Sequence, residues 1–431
     1  MQRIKFLSIC LLLASISFGQ TFKQTFITTD LDNFRTAYRK MSATQDTLLQ
    51  KQYLHDIFLQ PGTAGLRDFR QRRNYTETQY LEAIRQYPRF WKSIQPGTKS
   101  VKKQFARIEK AVQNLQRLYP ALKPVPIYFT MGVFRSNGTI SPDKVMIGCE
   151  MALADKSVDV SELPPDTRAF YERYTPIDDL IFLCAHEYVH TQQKPLVDNL
   201  LSYCIYEGIP EFIAELATNR KPYLSAIAHG EKHYEQVRNQ FEKDLYIPFR
   251  TFNWLWSNRQ IMGERDMGYA VGYQMAKRYY EKAPDKQVAI REMIELDYAD
   301  EAQIERYVDA SGYLSKPIAQ LYRDFENVRP FITHTSGVEN GSKTVKPGLQ
   351  GITVHFSRPL NGHNTGVDYG PLGEMAFPEV KQRVWSEDRL SWTLRVELAP
   401  NKHYQILISN NFRDENDIPL KPLLIEFQTT E

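Results

Sequence analysis

His186-Glu187-Tyr188-Val189-His190 is the stretch on which the reading of the whole chain turns. Two imidazoles four residues apart lie about one helical turn apart and project from one face, where both can hold a single Zn²⁺ at about 2.0–2.1 Å. Glu187 is turned about 100° away from His186. From there the carboxylate of a metalloprotease motif reaches the activated water and works as general base. The preceding residues agree with a helix. Thr175-Pro176-Ile177-Asp178 supplies an N-cap, a proline at the first helical position and an acid close to the free amides. Leu180 to Ala185 is an unbroken apolar run, which suits a helix buried on all sides.

A catalytic zinc keeps three protein ligands and leaves one position open. A third ligand six residues past His190 would fall on Leu196, which cannot bind metal. Farther on, Glu207-Gly208-Ile209-Pro210-Glu211-Phe212-Ile213-Ala214-Glu215 sets carboxylates at one-turn intervals on a helix expected over 207–219. Glu207 as ligand, with Glu211 one turn on and able to orient a zinc-binding His, supplies both a donor and its support. The dipole of a helix opening at Glu207 would also favour an acid at either place. The sequence therefore puts Glu207 ahead of Glu211 as third ligand and keeps both. His229 and His233 form a second pair with the same spacing, but Gly230 stands where a base would be. They read as a solvated helix face, with His229 a distant alternative as an oxyanion donor.

Around this centre the pattern predicts helices from about 30 to 122, with Val101, Phe105, Ile108, Val112, Leu115 and Leu118 as the clearest apolar stripe. A strand is expected at 127–131, a turn at Ser136-Asn137-Gly138-Thr139 and a second strand at 144–149. More helices are expected at 224–241, 268–281, 286–296, 304–310 and 317–325. Beyond Pro330 short alternating runs appear, such as Ile352 to Phe356, Trp392 to Val396, Tyr404 to Ile408 and Leu424 to Phe427, separated by Gly, Asn, Asp and Pro. They predict an all-β sandwich of about 100 residues.

Composition bounds the rest. The chain has 431 residues, 42% of them hydrophobic, which is more than one ordinary domain holds, so two or three are expected. Lys and Arg number 54 against 51 Asp and Glu, a net charge of +3. With the signs interspersed, no overall footprint for nucleic acid or anionic membrane is present. Met1 to Gly19 reads as a secretory signal: Arg3 and Lys5 lead a short apolar run, and Ser17 and Gly19 precede a cut expected before Gln20. The run is too short to span a bilayer, and Ile9 before Cys10 argues against a lipid anchor. Cys149, Cys184 and Cys204 sit among apolar residues and read as buried thiols, with a Cys184–Cys204 bridge left open.

On these residues the chain resembles the gluzincin superfamily of zinc metallopeptidases, in which H-E-x-x-H is followed by a helix bearing a Glu ligand in an E-G-x-x-x-[FY] context. Glu207-Gly208-Ile209-Pro210-Glu211-Phe212 matches that context. More narrowly, it looks like a bacterial family of predicted zinc-dependent proteases. That likeness is carried by Gly132, Ser136-Asn137-Gly138-Thr139, Ile147-Gly148-Cys149-Glu150 and Gly268-Tyr269-Ala270-Val271-Gly272-Tyr273, over roughly residues 30 to 325. The tail resembles bacterial Ig-like modules through Ile352 to Leu360, Trp392-Thr393-Leu394, Leu398 to Tyr404 and Phe427 to Thr430.

The resemblance implies an α+β zincin-like fold: a mostly helical region with a small sheet at 20–328, followed by an Ig-like sandwich at 329–431. It implies an exported, periplasmic or secreted zinc metallopeptidase acting on peptides or proteins, with His186, His190 and Glu207 on Zn²⁺ and Glu187 as base. Tyr269 or Tyr273 would serve as the oxyanion donor by analogy to Tyr donors in gluzincins. The strand Val145 to Cys149 would be the sheet edge that pairs with an extended substrate. No transmembrane anchor is expected, and the tail would offer cell-surface or carbohydrate contact. Two other readings stand beside this one: a hydrolase of a non-peptide bond, and a surface binding protein whose metal site is structural or vestigial.

Overall fold

The structure, a computed structural model, describes residues 23–257 and 259–431. The expected signal segment Met1–Gly19 and Cys10 lie outside the described residues. About half of the described chain is helical, with the strands gathered mainly near residues 127–148 and beyond 331, the segregation of an α+β chain. Two compact units result. Of the described residues, one holds those up to Gln192 together with Leu216–Asn219; the other holds those of Gln193–Glu215 and Arg220–Glu431. Among the described residues no helix is long and apolar enough to cross a membrane.

In the first unit, helices α1 (Thr29–Ser42), α2 (Ala64–Arg72), α3 (Glu77–Gln86) and α4 (Phe105–Leu118) accompany a four-stranded sheet. The stripe expected on α4 is where its burial lies, at Ile108, Val112 and Leu115. Each such side chain taken out of water is worth about 1.5–3 kcal/mol. Strands β1 (Phe26–Ile27), β2 (Ile127–Thr130), β3 (Gly138–Ser141) and β4 (Lys144–Gly148) run in the order β1-β2-β4-β3. The first three in that order are parallel, and β3 is antiparallel to β4.

This corrects two expectations. β4 is an interior strand with all five residues buried, so the sheet edges are β1 and β3 and not Val145–Cys149. Gly138 and Thr139, expected in a turn, open β3. The two-residue turn Pro142-Asp143 folds β3 onto β4, and the Asn137 carbonyl accepts the Gly148 N–H at 2.9 Å, which starts the ladder.

Helix α5 (Pro176–His190) is buried without a break from Leu180 to His190. Its start relies on Pro176 and the acids Asp178 and Asp179 in the first turn; the Thr175 side chain makes no capping bond. At its far end the Tyr188 hydroxyl accepts the Val125 N–H at 2.8 Å, which ties the last turn to the segment entering β2.

The second unit contains α6 (Leu200–Thr218, the last three residues grouping with the first unit), α7 (Ser225–Lys232), α8 (Tyr234–Asp244), α9 (Met267–Lys282), α10 (Lys286–Ile294), α11 (Glu301–Ser311) and α12 (Ile318–Val328). Helix α6 begins seven residues before the expected start at Glu207. The Asn199 side chain accepts the Ser202 N–H at 2.8 Å and so satisfies one of the first free amides. Pro210 lies inside the helix, where it cannot donate to the Tyr206 carbonyl one turn back. Gln193 replaces that donor, its side-chain amide reaching the Tyr206 carbonyl at 3.1 Å. The helix expected over 224–241 is two helices, because His233 leaves the helical region at φ −113°, ψ 32°.

The strands β5 (Ile332–Ser336), β6 (Gly348–Phe356), β7 (Val367–Asp368), β8 (Glu379–Trp385), β9 (Ser391–Leu398), β10 (His403–Ile408) and β11 (Leu423–Gln428) form two antiparallel sheets, β5-β6-β9-β8 and β11-β10-β7. Both supply one core through Ile352, Val354, Trp392, Leu394, Ile406 and Ile425. This β region is fastened to its helical neighbours within the unit. Arg250 pairs with Asp417 at 2.6 Å, the Arg329 guanidinium donates to the Pro419 and Leu420 carbonyls, and the Lys421 N–H meets the Pro330 carbonyl at 2.8 Å.

Candidate metal centre

The last turn of α5 presents His186 and His190 side by side. Both are buried, 6% exposed, and their Nε2 atoms stand 3.0 Å apart. One nitrogen of each ring is thus aimed at the same point. Glu207, partly buried in the middle of α6, completes the group: one ligand atom from each of His186, His190 and Glu207 lies within 4.8 Å of the others. Among the described residues this is the group of three donors that could hold a metal ion. Glu211, the other candidate, is buried one turn farther along α6 and lies outside that group.

Glu187 is buried beside the edge strand. A Cβ on Gly138 would lie 2.5 Å from its Oε1 and 2.8 Å from its Cδ, so the carboxylate occupies space that only a glycine leaves open. The Gly138 carbonyl is in turn held by Ser136 Oγ and by the Arg73 guanidinium at 3.4 Å. The glycine of Ser136-Asn137-Gly138-Thr139 therefore serves the general-base candidate, a purpose that spacing along the chain could not reveal.

Tyr269 and Tyr273 both lie on α9 and differ in their commitments. The Tyr273 hydroxyl donates to Glu215 at 2.5 Å, and Lys221 holds the same carboxylate at 2.6 Å. Tyr269 accepts the Trp256 indole N–H at 3.1 Å. Burial pushes its hydroxyl well above the usual tyrosine range, and the charge of Glu207 adds to the shift, followed by that of Asp266. Tyr269 is thus an electrostatic neighbour of the metal-group carboxylate.

The glycines of the two motifs explain how α6 and α9 come so close. A Cβ on Gly208 would lie 2.0 Å from the Gly272 carbonyl carbon, and one on Gly272 would lie 1.7 Å from the Cys204 carbonyl oxygen. The helices touch backbone to backbone at the residue after Glu207, which sets the separation between Glu207 and Tyr269.

Other residues singled out in the sequence fall elsewhere. His229 and His233 are partly buried with their rings 4.5 Å apart, and His233 Nδ1 meets Gln236 at 3.1 Å. They do not join the metal group. Cys149, Cys184 and Cys204 are free, buried thiols, and desolvation raises the pKa of each.

Glu150, quoted in the sequence but given no role, is completely buried where β4 ends. Its carboxylate accepts the N–H groups of Gly132 at 2.7 Å and Phe134 at 3.2 Å. Desolvation pushes its pKa up to about 7 against the pull of those two donors. Phe134 is left-handed, with φ 63°, and the loop so held leads into β3. A buried carboxylate spaced to catch two amides from another segment has no local sequence signature.

No family model matches the chain, and no curated protein does. Two solved structures of the surface-layer protein SbsC show some similarity. The crystal structure of rSbsC(31-844) is 15% identical over 63% of this chain, with a TM-score of 0.19. The structure of its domains 1–6 is 13% identical over 65%, also with a TM-score of 0.19. The matched region spans 37% and 39% of those chains, and likenesses this slight carry no argument about fold or function.

Proposed function

We propose that the protein is an exported zinc metallopeptidase of gluzincin type that hydrolyses peptide bonds. The observation that carries this reading is the convergence of His186, His190 and Glu207, with Glu187 in the same helical turn as the two histidines. The donor set suits zinc, which accepts imidazole and carboxylate together. Ligands at 2.0–2.1 Å around a tetrahedral centre stand about 3.3 Å apart, close to the 3.0 Å between the two Nε2 atoms. A zinc ion held there would supply Lewis acidity toward a carbonyl and make water acidic near neutral pH.

The chain's own residues supply the rest. Glu187 takes the proton of the attacking water and passes it to the leaving amine. Its place against Gly138 sets it beside the edge strand β3, where an extended peptide can add by main-chain pairing. Tyr269, next to Glu207, donates to the carbonyl oxygen as it becomes negative. Tyr273 is assigned a structural part, since its O–H is given to Glu215. The zincin-like reading of the first unit rests on its buried H-E-x-x-H helix and its mixed sheet with an antiparallel edge. The Ig-like reading of the tail rests on two antiparallel sheets around one core.

The test is Glu187→Gln in the full chain. The variant is expected to keep its metal and lose turnover of an unfolded protein substrate by about 10³-fold or more. Retained turnover removes Glu187 from its role. Cleavage of esters or epoxides, with no peptide cut by the wild type, replaces the peptidase reading with that of a non-peptide hydrolase.

A further inference from the structure

Tyr203 and Glu207 lie four residues apart on α6 and so share one face. The Trp256 ring meets Tyr203 edge to face at 4.8 Å, and its indole N–H donates to the Tyr269 hydroxyl at 3.1 Å. Tyr269 in turn feels the charge of Glu207 and, more weakly, of Glu211. Tyr203, Trp256 and Tyr269 therefore form a continuous aromatic strip beside the metal-group carboxylate.

Packing does not account for Trp256. Trp256 is 43% exposed, so much of the stabilisation that burying an indole would bring is forgone. Its backbone is left-handed at φ 57°, a region disfavoured for a bulky side chain. The conformation is held by Asp266, whose carboxylate accepts the Trp256 N–H at 2.8 Å and whose own φ is also 57°. A strained backbone fixed by a carboxylate, with its ring pinned by a tyrosine and still open to water, is the pattern of a residue kept for a ligand.

We infer that Trp256, backed by Tyr203, determines specificity at the proposed peptidase site by taking an aromatic or large apolar side chain of the peptide next to the bond that is cut. The inference rests on the peptidase reading. Apolar contact with an indole is the attraction, and the Asp266 carboxylate that holds the Trp256 N–H disfavours an acidic residue in that position. Trp256 acts on the choice of substrate, and Tyr269 on the reaction.

The test uses the full chain on reduced, alkylated casein, with every cleavage site mapped by mass spectrometry and metal content measured in parallel. Wild type should cut chiefly beside Phe, Tyr, Trp, Leu or Met and rarely beside Asp or Glu. Trp256→Ala should keep its metal and lower the rate at the aromatic and large apolar sites by about tenfold or more, while sites flanked by Ala or Ser change little. Trp256→Phe, which loses the indole N–H and the second ring but keeps an aromatic face, should keep the preference. An equal loss at all sites in Trp256→Ala, or an unchanged preference, overturns the inference and leaves the peptidase reading intact. Absence of any casein cleavage by metal-loaded wild type overturns both. Cleavage of a glycan chain with casein untouched would assign the indole to sugar stacking and would equally overturn it.

Discussion

Replacing Gly272 by Ala tests whether the contact between α6 and α9 sets the geometry around Glu207. The new methyl carbon would sit 1.7 Å from the Cys204 carbonyl oxygen and 3.0 Å from the Gly208 Cα. A relaxed C···O contact needs about 3.3 Å, so the helices must separate by about 1.6 Å at their crossing. Backbone is the obstacle on both sides, and no rotamer change relieves it. Overpacking costs typically 1–3 kcal/mol, and a gap of 0.5–1 Å already forfeits a quarter to a half of the dispersion energy of the atoms it parts. A loss of about 3 kcal/mol follows, or about 6–12 °C in melting temperature for a unit of this size. Because Glu207 adjoins Gly208, its carboxylate moves with α6, and metal affinity should fall by about tenfold or more. Thermal melting and competition with a chromophoric chelator read the two effects. Ala is a better helix former than Gly by about 1 kcal/mol, so if the crossing had room, Gly272→Ala would be slightly stabilising. A variant that melts at or above the wild-type temperature and binds metal equally well refutes the reasoning.

The two tyrosines should separate cleanly. Tyr273→Phe loses a hydrogen bond to a carboxylate, about 1.5–3 kcal/mol of stability, with turnover within about twofold of wild type; Tyr269→Phe should keep its stability and metal while turnover falls by about 10²-fold or more. Glu150 makes stability depend on pH. Its folded pKa of about 7 lies above the ordinary 4.5, so its contribution is fully present below pH 4.5 and is lost as pH rises through 7, a change of about 3 kcal/mol at 1.36 kcal/mol per unit. Chemical denaturation of Glu150→Gln between pH 4.5 and 8 should lack that decline, and a variant with the wild-type slope would show that the carboxylate is not the titrating group.

Much of the centre was legible because its chemistry is local. The H-E-x-x-H spacing, the apolar run before it and the Pro176 start all belong to one helix, and the four-residue period fixes which side chains share a face. Glu207 is legible as a candidate through its motif, yet its surroundings are not, because the cap at Asn199 and the Gln193 amide that tolerates Pro210 act from outside that motif. The edge of the sheet was misplaced for a related reason: β3 is four residues long and begins inside a turn-like sequence, and its identity follows from the partner it pairs with. Strand β8 exposes most of its residues and so lacks the alternation by which β6 and β9 announce themselves. Glu150, the Gly138 contact with Glu187 and the bond from Trp256 to Tyr269 join residues 10 to 50 positions apart, and no period along the chain encodes them.

The claim that His186, His190 and Glu207 form a zinc site is tested most directly by metal analysis of the full chain purified without added zinc, alongside Glu207→Gln and Glu211→Gln. The account expects about one zinc per chain in the wild type, its loss in Glu207→Gln, and retention with weakened affinity in Glu211→Gln. A wild-type protein without metal that takes up none from added zinc, or a Glu207→Gln variant that holds zinc as tightly as the wild type, would contradict it.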